Sequence, residues 1–186
     1  MEGEGAILYP LFLNLDAKLC VLVGGGEVAN RKARKLLEAR AKVVVISPEV
    51  EPELASIATE VRQRPYRAGD LEGAFLVFAA TDRREVNAAV AREARERGIP
   101  VNVADSSAEG DFALPSTLKR GRLQVAVSTG GASPALARRI RQELEDVFTF
   151  EWANLVEELS RARRNGHKAE GELEEVVEKC LSRLRG

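Results

Sequence analysis

An unbroken apolar run that leads into three glycines constrains the fold of this chain more than any other feature. Residues 19–23 are all apolar, which is typical of a strand that is buried on both faces of a parallel sheet. Glycines occupy positions 24–26, and a helix-forming stretch begins at Glu27. The spacing Gly24-x-Gly26-x-x-Ala29 fits the fingerprint of a dinucleotide-binding turn. For this motif alone, an ordinary tight turn between a strand and a helix remains the alternative.

Each small residue of the motif has a predicted task. Gly24 permits the tight turn, Gly26 lets a pyrophosphate approach the backbone, and Ala29 lets the helix pack closely against the strand. The new helix would direct its free N–H groups and the positive end of its dipole at the phosphates. The cofactor-binding residues predicted from this turn are Gly24, Gly25, Gly26, Glu27 and Val28.

Strands and helices are predicted to alternate through the first half of the chain. The predicted strands are 18–23, 42–47, 61–66, 74–80 and 101–104, and the predicted helices are 27–40, 52–60 and 85–97. In the first helix, the buried face is expected to consist of Val28, Ala29, Ala33, Leu36 and Leu37. This alternation predicts an α/β fold of the Rossmann type, with a parallel sheet and right-handed crossovers.

Polar residues follow two further predicted strands. Thr81 and Asp82 come after strand 74–80, where they are expected to cap the next helix, and Asp105 comes after strand 101–104. Ligands of open parallel sheets bind outside the carboxyl ends of the strands. We therefore expect these two loops and the glycine turn to meet at one crevice, with Thr81 and Asp82 in contact with the cofactor.

The residues after the second strand bear on the choice of cofactor. NAD-binding units usually place an acidic residue there for the ribose hydroxyls, whereas an arginine nearby accommodates the 2′-phosphate of NADP. The sequence here is Ser47-Pro48-Glu49, so the acidic residue comes late, and no arginine follows immediately. We expect Ser47, Pro48 and Glu49 to lie at the ribose and the cofactor to be NAD.

The pattern changes after Asp111. Alternating residues around Gly121 predict an antiparallel hairpin of 117–120 and 123–128, followed by a second glycine turn. Ser133 is expected to cap a helix that starts at Pro134, and further helices are predicted up to about 164 and at 171–184. Residues 114–142 contain six basic side chains and no acidic ones. Either this is surface charge that is balanced elsewhere, or it forms a site for a polyanionic small molecule.

The composition excludes several classes of protein. A net charge of -1 argues against general nucleic-acid binding, and no apolar run approaches the roughly 20 residues that a membrane span needs. The acidic N-terminus lacks the features of a signal peptide, so we expect a soluble, cytoplasmic protein. Cys20, Cys180 and His167 have no metal-ligand spacing, so no metal site is predicted. Cys20 is expected to fill the core and Cys180 to lie at the surface.

Several motifs occur in an order that is characteristic of one family. They are 9–13 (YPLFL), 23–32 (VGGGEVANRK), 79–82 (AATD) with Asn87, Asn102-Val103-x-Asp105, Pro115-Ser116 and 125–138 (VAVSTGGASPALAR). On these residues, which span roughly 8–160, the chain resembles the precorrin-2 dehydrogenase and sirohydrochlorin ferrochelatase family. Members of this family also form the N-terminal module of siroheme synthases.

The resemblance implies an NAD-dependent dehydrogenase that converts precorrin-2, a polycarboxylate tetrapyrrole, to sirohydrochlorin and works as a homodimer. It implies an NAD-binding Rossmann domain at 1–113, a dimerisation and substrate region at 114–150, and a helical region at 151–186. Some members also insert iron or cobalt, and the sequence leaves open whether this chain does. At 186 residues, we expect the chain to lack the methyltransferase module of some members.

The resemblance also implies roles for single residues. Asp105 matches the family's essential aspartate, with the predicted role of a general base that removes a proton as hydride leaves; a turn or cap role is the alternative. Asn102 and Val103 are expected at the cofactor. The predicted substrate-binding residues are Ser128, Thr129, Gly130 and Arg138.

Two other functions fit the glycine turn. One is a regulatory module that senses NAD without turnover, and the other is a dehydrogenase of a different small substrate. The basic hairpin and the second glycine turn, both within 114–141, distinguish a precorrin-2 dehydrogenase from these two alternatives. A sensor module has no need of these features, and the basic charge disfavours a neutral substrate.

Overall fold

The computed structural model describes residues 8–164, together with 174, 177–178 and 181–182. The chain forms two compact units, of which the first ends at Ala113 and the second begins at Leu114. No helix in these described ranges has the length and apolar character that crossing a membrane requires.

Within residues 8–113, the chain forms a five-stranded parallel sheet with the order β3-β2-β1-β4-β5. The strands are β1 (Leu19–Val23), β2 (Lys42–Ile46), β3 (Glu60–Arg62), β4 (Leu76–Ala79) and β5 (Val101–Val103). The helices between them are α1 (Glu27–Glu38), α2 (Pro52–Ile57) and α3 (Arg84–Glu96). The predicted Rossmann-type α/β fold is confirmed. The strand order reverses between β1 and β4, where ligands of such sheets bind.

The core lies on both faces of this sheet, which explains why β1 is apolar at every position. Cys20 and Leu22 pack on the face covered by α1 and α2, whereas Val21 and Val23 pack on the face covered by α3. The prediction that Cys20 fills the core is confirmed, since its side chain is fully buried. Burial raises the pKa of its thiol to about 11, because the thiolate loses its hydration there.

The predicted buried face of α1 is wrong at its first turn. Val28 is 39% exposed, whereas Asn30 is buried. Val28 lies in the first turn of the helix, at the edge where the strands have already ended. The Asn30 side chain is turned toward the α2 region, where its Nδ2 donates to Glu53 at 2.7 Å.

The predicted strand 61–66 ends at Arg62, and side chains hold the loop that follows. Arg64 donates two hydrogen bonds to Asp70, of 2.6 and 2.7 Å. Tyr66 donates to Glu93 of α3, and Arg97 donates to the same carboxylate at 2.8 Å. Both carboxylates are buried, so this loop is fixed by ion pairs rather than by strand pairing.

The second unit contains the predicted hairpin and helices. Strands β6 (Ser116–Arg120) and β7 (Leu123–Val127) pair antiparallel, and α4 (Pro134–Val147) and α5 (Glu151–Arg164) follow. The Oγ of Ser133 accepts the N–H of Leu136 at 3.1 Å and caps α4 as predicted. The predicted helix at 171–184 lies outside the described residues, apart from 174, 177–178 and 181–182, which are helical. Cys180 also lies outside them.

This second unit buries little of its own apolar surface. Among its described residues, the buried apolar side chains are Leu118, Ala137 and Leu155. The exposed ones include Leu136, Ile140, Val147 and Phe150, at 51, 38, 59 and 76%. The first three lie along one side of α4, because their spacing of four and seven residues follows the helical repeat.

Candidate functional site

Four strands end in register at the carboxyl edge of the parallel sheet, and a loop follows each of them. Val23 of β1 pairs with Ile46 of β2 and with Ala79 of β4, and Ala79 pairs with Val103 of β5. The residues that follow these four positions are the glycine turn, the loop of Ser47, the loop of Thr81 and the loop of Asp105. The structure therefore brings together the loops that carry the predicted cofactor and catalytic residues.

Two of the three glycines are required by the fold itself. Gly24 has a φ of +129°, and a Cβ on it would lie 2.2 Å from the carbonyl oxygen of Ala80. A Cβ on Gly25 would lie 1.9 Å from the carbonyl oxygen of Glu49. The Gly25 carbonyl in turn accepts the N–H of Glu51 at 2.8 Å. The turn is thus packed against the loops that follow both β2 and β4.

Gly26 differs from its neighbours because nothing within the protein requires a glycine there. Its φ is -92°, which any residue adopts, and a Cβ on it would have no atom within 4 Å. It is the N-cap residue of α1 and no side chain caps this helix, so free N–H groups point outward. The open space beside Gly26 fits the close approach of a phosphate, which is the role predicted for it.

The loop after β2 contains the residues that are predicted to lie at the ribose. Ser47 is buried, with Pro48 and Glu49 exposed beside it. Glu51 and Glu53 follow, and Asn30 of α1 donates to both. Arg34 forms an ion pair with Glu53 and is therefore already matched by a carboxylate.

The loop after β4 is held by a residue that was not predicted to belong to the site. Asn87 of α3 accepts the N–H of Thr81 at 3.1 Å and its hydroxyl at 2.8 Å, and donates to its carbonyl at 3.0 Å. The predicted cap is wrong, because α3 starts at Arg84 and no side chain caps it. Thr81 Oγ1 instead accepts the N–H of Arg83 at 3.2 Å. Asp82 is exposed.

Asp105 lies at the same edge of the sheet and is accessible to a ligand. Its Oδ1 accepts a 3.0 Å hydrogen bond from Asn87 Nδ2, and its Oδ2 is 4.0 Å from Arg84. The side chain is 37% exposed. Arg84 is shared, since it also pairs with Glu109. One carboxylate oxygen is therefore fixed by the protein and the other is free of hydrogen bonds from the described residues.

The side chains of Asn102 and Val103 do not lie at the edge. Val103 is buried in the core. Asn102 donates to the carbonyl of Phe112 at 2.9 Å and accepts from Lys32 of α1 at 2.8 Å. Contacts of Asn102 and Val103 with a cofactor would thus come from their backbone.

The second glycine turn is closed by its own hydroxyl groups. Gly130 donates to Ser128 Oγ at 3.2 Å, and Thr129 Oγ1 accepts the N–H of Ser133 at 3.0 Å. Gly130 and Gly131 have φ values of +62° and +88°, the left-handed conformation that favours glycine.

The six basic residues of 114–142 divide into two groups. Arg139 and Arg141 pair with acidic residues of α4, and Arg120 donates to the carbonyl of Phe148 at 2.7 Å. Within the part of the chain that the structure describes, the other three make no ion pair. These exposed residues are Lys119, Arg122 and Arg138.

Sequence reasoning missed the contributions of Asn87, Asn30 and Lys32. For Asn87 a signal existed, since its spacing from Val90, Ala91 and Ala94 places a polar residue on the apolar face of a helix. Among the described residues, no three histidine, cysteine or acidic side chains are grouped so that they could hold a metal ion.

Two family models match consecutive parts of the chain, and the change from one to the other falls close to the boundary between the two units. The model of a family described as NAD(P)-binding matches residues 11–116, more than half of the chain. The chain belongs to this family. A second model, described as the central part of sirohaem biosynthesis proteins, matches residues 120–146. A nicotinamide cofactor is therefore the ligand class of the first unit.

The relatives and a solved structure agree with the resemblance carried by the motifs, which is confirmed. Siroheme synthase 1 of Aeromonas salmonicida is 49% identical over 140 residues, or 73% of this chain and 30% of the relative. The siroheme synthase of Pseudomonas aeruginosa is 44% identical over 158 residues, or 83% and 34%. The chain thus spans about a third of the length of these relatives. The structure of SirC, a precorrin-2 dehydrogenase, superposes with a TM-score of 0.75 at 25% identity and covers 96% of this chain and 99% of SirC.

Proposed function

We propose that this chain is an NAD-dependent dehydrogenase that oxidises precorrin-2 to sirohydrochlorin, a step toward siroheme. The observation that carries the proposal is the row of loops at one sheet edge, with the open space at Gly26 and the exposed carboxylate of Asp105. The likeness to SirC over nearly its whole length supports the substrate, and the siroheme synthases support the pathway.

The cofactor would bind at the glycine turn. Gly26 leaves room for the pyrophosphate, and the uncapped N-terminus of α1 offers N–H groups and a positive dipole end. When bound, the nicotinamide ring accepts a hydride. Ser47 and Glu49 follow β2, and in this fold the residues at the end of that strand contact the ribose. Arg62, whose carbonyl accepts the N–H of Ser47 at 3.3 Å, is paired with Glu60 and Asp70, and Arg34 is paired with Glu53. Neither arginine therefore offers an unmatched charge for a 2′-phosphate. NAD is therefore preferred over NADP.

Asp105 would take up the proton that leaves the substrate as the hydride departs. Its carboxylate fits this role because it is reachable from solvent and has one oxygen without a hydrogen bond from the described residues. A general base must come within hydrogen-bond reach of the proton that it removes, and a half-exposed side chain at the ligand edge satisfies that condition.

The second unit would bind the carboxylates of the substrate. Lys119, Arg122 and Arg138 carry positive charge that the described residues do not neutralise, and a polycarboxylate matches it. Ser128, Thr129 and Gly130 form the turn that precedes Arg138. The exposed apolar side of α4 supports a homodimer, which we propose as the working form in the cytoplasm.

A coupled assay tests the function. Purified protein is supplied with precorrin-2 and NAD, and both NADH and the absorption of sirohydrochlorin are recorded, with NADP in a parallel reaction. We expect both products with NAD and much less with NADP. Asp105→Asn should bind NAD normally but form both products far more slowly. NAD binding without turnover in the unaltered protein would favour a sensor module instead, and added Fe²⁺ or Co²⁺ shows whether metal insertion follows.

A further inference from the structure

We propose that Asn87 is a positioning residue that holds the carboxylate of Asp105 in a single orientation relative to the cofactor loop. This inference rests on the proposed dehydrogenase function. It concerns a side chain that would not touch substrate or cofactor and would act through Asp105.

All hydrogen-bonding groups of the Asn87 side chain have partners, and these partners lie in two loops. One Nδ2 hydrogen goes to Asp105 Oδ1 and the other to the Thr81 carbonyl, both at 3.0 Å. Its Oδ1 accepts the N–H and the hydroxyl of Thr81. A carboxamide has two N–H donors and one oxygen acceptor, so every group is used. The loops after β4 and β5 are thereby joined through one side chain.

Burial makes this arrangement costly unless it has a purpose. Asn87 is 0% exposed and lies on the face of α3 that packs against the sheet with Val90 and Ala91. Removing a polar group from water costs free energy, and the hydrogen bonds that it forms in the protein do little more than offset this cost. An apolar side chain at this position would fill the core without that cost. What Asn87 adds is a link between the Thr81 loop and Asp105.

The link decides which oxygen of Asp105 is available. Oδ1 is occupied by Asn87, and Oδ2 faces Arg84 at 4.0 Å, beyond hydrogen-bond distance. Proton removal requires the accepting oxygen to be placed accurately, and a misplacement of about 1 Å costs on the order of 100-fold in rate. Because Asn87 also fixes Thr81, it sets the base relative to the loop predicted to contact the cofactor.

Kinetic coupling between Asn87 and Asp105 tests the inference. The variants are Asn87→Leu, Asp105→Asn and the double variant. We expect Asn87→Leu to lower kcat by about 100-fold, together with any change in the KM for NAD that follows from the released Thr81 loop. We expect the double variant to be no slower than Asp105→Asn. Losses that multiply in the double variant, or a change confined to KM, would overturn the proposal.

Two controls separate positioning from folding and from the proposed function. Val90→Ala, at a buried position of the same helix, lowers stability without touching Asp105 and should keep kcat. If it loses kcat as Asn87→Leu does, the role of Asn87 is structural. The side-chain amide resonances of Asn87 should shift in Asp105→Asn, and unchanged resonances would refute the contact. This measurement needs no turnover, so failure of the wild-type protein to oxidise precorrin-2 is recognised separately.

Discussion

The ammonium nitrogen of Lys32 lies 2.8 Å from Oδ1 of Asn102, a residue 70 positions further along the chain. Asn102 also donates to the Phe112 carbonyl, and the Lys32 nitrogen lies 5.6 Å from the ring centre of Phe78. The pKa of Lys32 is lowered, chiefly because burial disfavours the charged amine and secondarily because Arg31 and Lys35 are nearby. A cation without an ion pair among the described residues therefore joins α1 to β5.

This burial predicts how stability depends on alkaline pH. The folded chain holds the Lys32 proton less tightly than the unfolded chain, whose value is the ordinary 10.5. Between the lowered pKa and 10.5 the unfolded state binds more protons, so Lys32 makes stability rise with pH in that window. In denaturant titrations, the unfolding free energy of Lys32→Met should rise less with pH than that of the wild type. Lys42→Met, at the exposed first position of β2, should behave as the wild type; equal slopes in all three proteins would contradict the prediction.

Gly25 and Gly26 of the turn should respond differently to substitution by alanine. Gly25→Ala should lower the free energy of unfolding by about 3 kcal/mol, because its Cβ would overlap the Glu49 carbonyl. Gly26→Ala should change it by less than about 1 kcal/mol, since its Cβ meets only open space, and should weaken NAD binding at least about tenfold. Thermal unfolding and calorimetric NAD titration measure both quantities. A Gly26→Ala protein that binds NAD normally would remove the pyrophosphate from this position.

The ion pair of Asp70 predicts an effect at acid pH. Hydrogen bonds from Arg64 hold the pKa of Asp70 below its ordinary 3.8, with smaller contributions from Arg67 and Arg62. The stabilisation by Asp70 is complete above pH 3.8, and it is lost as the pH falls through the lower pKa that Asp70 has in the folded protein. Asp70→Asn should therefore be less stable at neutral pH and lose less stability on acidification. Asp16→Asn, at an exposed position, serves as the control, and a wild-type acid profile in Asp70→Asn would be the contrary result.

The apolar side of α4 predicts the behaviour of the proposed dimer. Ile140→Asp places a charge among Leu136 and Val147, and should weaken association by about 2 kcal/mol or more, or roughly 30-fold in the dimer dissociation constant. Gln142→Asp alters an exposed polar position of the same helix and should leave association unchanged. Sedimentation at several concentrations measures both. If Ile140→Asp associates like the wild type, this side of α4 is not the interface.

The sheet and its crevice were predictable because the chemistry is local. Five apolar residues in a row can be satisfied only by burial on both faces, and the glycine turn marks where the strand ends. Strand lengths were less predictable. Phe75 continues the apolar run before β4, but it is 37% exposed and outside the strand. Apolar character specifies burial, whereas pairing depends on the length of the neighbouring strand.

The side-chain contacts of the site could not be predicted, because their partners are distant in the sequence. Lys32 of α1 contacts Asn102 of β5, and Asn87 of α3 contacts Asp105 in the loop that follows β5. Val28 shows that the burial of a side chain also depends on residues that are distant in the sequence. Its helical spacing favoured burial, but the helix begins where the sheet has already ended.

The contact between Gly25 and the Glu49 backbone limits how the cofactor preference of this protein can be redesigned. Grafting a different loop after β2, such as one that carries an arginine for a 2′-phosphate, would move the Glu49 carbonyl into or away from the glycine turn. The Glu51 hydrogen bond to Gly25 would move with it. For the proposed NAD-dependent enzyme, a switch toward NADP therefore has to be sought in single side chains at 47–49, with the path of the main chain kept as it is.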